Sequence, residues 1–169
     1  MSTLSNPLAA SHSSLRRWSL CIAGPAALGA AWATKSGVAI TEVARLPVLW
    51  VGVAALMVPA LYIGAALSGL SPSARDVLSS AVDSLSRGGA LLLGLCPALL
   101  FMVTTTDGSW VAEVLVRLCA GLGALTGLSV LFHKLCVEPD ASVLARFVFL
   151  SWAAVLLGIG SQLFRLSVG

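Results

Sequence analysis

The sequence predicts an all-α fold, a polytopic transmembrane helical bundle. Three observations predict it. Hydrophobic residues make up 58% of the 169-residue chain and charged residues 10%, against about 25% charge in a soluble domain. The mean hydropathy is +0.98. The apolar residues gather into five runs, near 18–34, 46–70, 88–105, 110–131 and 146–166. Such runs are too long and continuous for the alternating strands of a barrel, and lipid admits no open sheet edge, so the spanning elements are helices. A soluble enzyme, a nucleic-acid-binding domain and a disordered chain are excluded, because each needs polar surface that this chain lacks.

Residues 1–17 are polar and rich in serine, and read as a flexible cytoplasmic tail. The first run, 18–34, reaches about 25 Å at 1.5 Å per residue, short of a hydrocarbon core of about 30 Å. Two expectations compete for it. Either it is a retained span, giving five, or it is a signal peptide, giving four. Arg16-Arg17 would form the charged n-region and Ala31-Trp32-Ala33 the cleavage site. The second run, 46–70, carries no charge and spans with length to spare. Pro47 stands at its entry, where a missing N–H costs nothing, and Pro59 at its centre.

Residues 73–87 place Val77, Leu78, Val82 and Leu85 at helical spacing among four charges, and Ser73 with Asp76 forms a capping pattern. The expectation is a short amphipathic helix lying at the interface. The third span, 88–105, contains Pro97, and a tight turn at Asp107-Gly108 leads to the fourth, 110–131. A polar link, 132–145, precedes the fifth span, 146–166. With five spans and a cytoplasmic N-terminus, six basic residues lie inside (Arg16, Arg17, Arg75, Arg87, Lys134, Arg146) and three outside (Lys35, Arg45, Arg165). The positive-inside rule favours that orientation, and all five tryptophans fall near span ends, as in an aromatic belt.

Few residues offer chemistry. Glu113 and Arg117 share a helix face within the fourth span and can pair there. A charge so placed is costly unless paired, so this is the candidate intramembrane polar site. Pro59 and Pro97 are candidate kinks, each removing a backbone hydrogen bond, as the broken helices of transporters do. Small residues four apart, Gly123 with Gly127 and Ala154 with Gly158, are candidate packing stripes. The cysteines Cys21, Cys96, Cys119 and Cys136 stand singly, without a C-x-x-C pair. His133, Cys136, Glu138 and Asp140 fall close together in the polar link and read as a solvated loop, not as a metal site. No catalytic set, cofactor motif or metal site is indicated.

In layout, five closely spaced helices after a short polar N-terminus, with Leu46-Pro47-Val48-Leu49 and Pro59-Ala60-Leu61-Tyr62-Ile63 in the second, the chain resembles bacterial Yip1-like small membrane proteins over residues 15–135. The Tyr-Gly-Pro motif of the eukaryotic proteins is absent, and the resemblance carries no functional residue across. The expected location is a bacterial inner membrane. The expected function is non-enzymatic, as a scaffold or accessory subunit of a membrane complex. Its partners would be the lipid bilayer and either another membrane protein or further copies of the chain, with no nucleic acid. The alternative is a small transporter or channel using Glu113, Arg117 and the proline kinks.

Overall fold

The computed structural model describes residues 7–36, 41–67, 73–106, 109–137 and 142–168. Five α-helices contain nearly all of them: α1 (Pro7–Ser36), α2 (Thr41–Leu67), α3 (Ala74–Thr105), α4 (Ser109–Phe132) and α5 (Val143–Val168), with a π-helical turn, His133–Val137, prolonging α4. No strand occurs among the described residues. The chain is therefore an all-α bundle.

Local chemistry sets several helix ends. Pro7 opens α1, where its fixed φ and missing N–H suit the first turn. Ser73 caps α3 in a reciprocal box: its hydroxyl accepts from the Asp76 N–H at 3.2 Å, and the Asp76 carboxylate accepts from the Ser73 N–H at 3.3 Å. Thr106 closes α3 by donating its N–H to Met102 O. The Ser142 hydroxyl accepts from the Ala145 N–H at the start of α5.

Two sequence expectations are corrected here. Residues 7–17 are the first turns of α1, not a flexible tail, while 1–6 lie outside the described residues. Extending a helix that 18–34 already nucleates costs little, and Leu8, Ala9, Ala10 and Leu15 are good helix formers. Residues 73–87 are not a separate interfacial helix but the first half of α3, continuous with 88–105. Gly88-Gly89 does not break the helix, because both glycines are buried against neighbouring backbone. The polar stripe Ser80 and Ser84 is buried as well, so it faces the bundle and not water.

Four helices are long and apolar enough to cross a membrane, in the segments Val43–Leu67, Ala74–Thr105, Trp110–Val137 and Val143–Leu163. The fold is that of a membrane-embedded helical protein. Neighbouring pairs give the directions. Gly24 meets Gly89 and Ala27 meets Cys96, so α1 runs parallel to α3. Ser84 meets Gly127 and Gly88 meets Gly123, so α3 and α4 are antiparallel. Met57 meets Trp152 and Gly64 meets Val148, so α2 and α5 are antiparallel.

Buried side chains form two clusters. One, at the end where α4 passes into α5, joins Leu61, Val77, Leu131, Leu135 and Phe149. The other, toward the opposite end, joins Leu28, Leu46, Leu92, Val103 and Val116. No α5 residue belongs to the second cluster, and Val155, Gly158 and Ile159 are exposed. The second half of α5 thus stands off from α1, α3 and α4.

Candidate functional site

Three features lie inside the bundle: a seam of glycines, an ionic node and an apolar chamber. The seam binds α1, α3 and α4. A Cβ on Gly24 would lie 2.1 Å from Gly89 O, and a Cβ on Gly123 would lie 2.9 Å from the Leu92 side chain. At Gly24 only glycine lets the two backbones approach so closely, whereas at Gly123 the neighbour is a side chain that can give way. Polar groups reinforce the seam. The Ser84 hydroxyl donates to Gly127 O at 2.6 Å in a buried contact. The thiols of Cys21 and Cys96 donate to Val82 O and Ala27 O at 3.7 and 3.6 Å.

The ionic node centres on Asp83 of α3. Arg17 of α1 donates to Oδ1 at 2.8 Å and Lys134 of the π-turn donates to Oδ2 at 2.5 Å. The Asp83 side chain is 19% exposed. One carboxylate thus ties three elements together with charge-assisted bonds. The wider π-helical turn aims Lys134 at α3 while keeping Leu135 and Cys136 buried.

The chamber, of about 290 Å³, lies between α2, α4 and α5, with parts of α1 and α3 as its floor. Its walls are apolar apart from a few groups. Ser84 is spent on Gly127 O, the Trp152 indole donates to Met57 O at 3.1 Å, and Ser161 donates to Gly158 O. Two groups near the Leu46 end differ. Trp50 Nε1 is buried and has no acceptor. Arg117 also lines the wall, paired with Glu113 across one helical turn.

Each residue singled out in the sequence now has a place. Glu113 and Arg117 do pair, but half in the open, with side chains 29% and 41% exposed. Pro59 and Pro97 face outward from the bundle and line no part of the chamber, so they frame no internal site. Gly123 and Gly127 lie on the seam. Ala154 and Gly158 do not pack within the bundle: both are exposed, and a Cβ on Gly158 would meet nothing. The four cysteines are free thiols. Glu138 and Asp140 lie outside the described residues, and no three potential metal ligands gather among those described.

Sequence reasoning missed Asp83 and the glycines Gly24, Gly88 and Gly89. A signal existed for the seam, since Ser80, Ser84 and Gly88 are small residues four apart. Compared with known protein families, curated proteins and solved structures, the chain matches none.

Proposed function

We propose that the chain is a non-enzymatic integral membrane protein, a scaffold or accessory subunit of a complex in a bacterial inner membrane. Five helices cross the bilayer and the N-terminus is cytoplasmic. The observation that carries this reading is how the chain spends its internal polar groups. Ser84, Asp83, Glu113 and the Trp152 indole are each bonded to another part of the chain itself. That polarity fastens helix to helix and turn to turn, and presents no polar stripe to a passing solute. Large apolar side chains such as Leu56, Phe101 and Phe147 face outward, where lipid or a partner helix covers them.

A channel or a transporter of polar solutes is the competing reading. Of its polar pair only Arg117 lines the chamber, whose walls are mostly apolar, and such walls hold no continuous file of water. The orientation draws support from the ionic node, since Arg17 and Lys134 converge on one end of the bundle and both count as inside residues.

The test is extraction of the native protein in mild detergent after photo-crosslinking from Leu56, Phe101 and Phe147. The expected result is one reproducible, stoichiometric adduct from at least one face. A monomer without adducts, together with solute flux in proteoliposomes, sinks the scaffold reading.

A further inference from the structure

We propose that Arg87 and the ionic node at Asp83 together form a site for the headgroup phosphate of an anionic phospholipid. The site lies in the headgroup layer at the Asp83 end of the bundle. It requires an embedded bundle, and depends neither on the scaffold role nor on which leaflet this end meets.

Charge specifies the ligand. Arg17 and Lys134 both bond to Asp83, at 2.8 and 2.5 Å. One carboxylate neutralises one of these cations and leaves the other uncompensated. Arg87 adds a third cation. It stands four residues beyond Asp83 on α3, so the two share a helix face with Cβ atoms about 5–6 Å apart. The Arg87 side chain is exposed and bonds to no other described residue. Three cations thus surround one carboxylate, for a net charge of +2. The next acid on this face, Asp76, is two turns away and spent on Ser73. A phosphodiester accepts from the fork of Arg87, while Arg17 and Lys134, both partly open to solvent, attract its second oxygen. The ammonium of a zwitterionic headgroup finds no free acceptor, because Asp83 is already shared.

Depth makes the ligand a lipid. Arg87 precedes Thr105, the end of α3, by 18 residues, about 27 Å at 1.5 Å per residue. That is close to a hydrocarbon core of about 30 Å, so Arg87 stands at its edge, where a guanidinium reaches the headgroups. Farther along the helix, α3 shows Ala90, Gly94 and Ala98, all exposed, and a Cβ on Gly94 would meet nothing within 4 Å. An acyl chain attached to the bound phosphate lies against this shallow face. A free phosphate gains nothing from it.

The experiment titrates the full-length protein, in nonionic detergent, with phosphatidylglycerol or with phosphatidylcholine of equal chain length. Native mass spectrometry counts the lipids retained. One phosphatidylglycerol binds per chain, about tenfold or more tighter than phosphatidylcholine, the effect of two uncompensated surface cations. Arg87→Gln weakens it about fivefold, the share of one cation, and keeps the fold because Arg87 bonds to nothing in the chain.

Arg75→Gln is the contrast. Arg75 is equally exposed and unpaired, but lies about 18 Å nearer the start of α3, more than twice the screening length of about 8 Å. Its loss leaves binding unchanged. Asp83→Asn releases both cations and strengthens binding, so added phosphatidylglycerol recovers part of that variant's stability. Equal weakening by Arg75→Gln and Arg87→Gln means diffuse attraction without a site, and overturns the proposal. Equal retention of the two lipids overturns it, and so does displacement of phosphatidylglycerol by an equal concentration of glycerol phosphate.

Discussion

Asp83 and Glu113 are both acids paired to cations near the membrane, yet they differ in what holds them. Glu113 and Arg117 are neighbours on one helix, so their pairing needs no tertiary structure, and both remain substantially exposed. Exposed pairs contribute about 0–1 kcal/mol. Asp83 receives two cations from separate elements, and burial of its side chain strengthens both attractions. Removing one partner of a fully buried pair costs about 3–5 kcal/mol, so a partly buried triad falls between the two limits. Asp83→Asn should therefore lower the thermal melt in detergent clearly more than Glu113→Gln, which should shift it little. Equal shifts would refute the clamp at Asp83.

The same contrast explains what was legible in the sequence at this scale. The Glu113–Arg117 pair is written in a four-residue spacing. The partners of Asp83 are Arg17 and Lys134, residues from elsewhere in the chain that only the packing of α1 against α3 and the turn of the π-helix bring together.

The helices themselves were largely legible, because hydropathy marks a lipid-facing run whatever its neighbours. Their joins were not. Residues 73–87 carry charges that suggest an interface, but α3 buries Ser84 against α4 and neutralises Asp83, so the helix continues through them. Small-residue spacing marked Gly123 and Gly127, which lie on the seam, and Ala154 and Gly158, which stay exposed in the single chain, since spacing alone does not say which face meets a helix of the same bundle.

A substitution series makes the difference measurable. Gly24→Ala sets a Cβ against backbone at 2.1 Å, which side-chain motion cannot relieve. A cost of about 1–3 kcal/mol or more is expected from such overpacking. Gly123→Ala meets only the flexible tip of Leu92 and should cost less, while Gly158→Ala meets nothing and should be neutral or mildly stabilising, as alanine favours a helix. The order of melting temperatures in detergent checks this; a destabilised Gly158→Ala beside an unaffected Gly24→Ala would reject the seam.

At the scale of the whole molecule, the helix with the weakest claim from hydropathy is nonetheless packed along the bundle's central seam. α1 is not among the four segments apolar enough to cross a membrane unaided. Its Cys21, Gly24, Pro25, Leu28 and Ala31 are nevertheless buried against the rest of the bundle. A helix covered by protein has less need of lipid-compatible side chains, and small residues there allow close packing. α1 runs beside α3 from the Arg17–Asp83 bridge to the cluster that holds Ala31 and Val103, and so accompanies α3 through its apolar length. The expectation is that α1 crosses the bilayer parallel to α3. In a variant without native cysteines, single cysteines at the exposed positions Leu15, Thr34, Ser79 and Thr105 test both helices at once. With a membrane-impermeant maleimide on intact cells, Thr34→Cys and Thr105→Cys should be labelled, and Leu15→Cys and Ser79→Cys only after permeabilisation. Protection of Thr34→Cys together with Leu15→Cys would leave α1 on the inner side and reduce the spans to four, and the reverse pattern at all four sites would invert the protein.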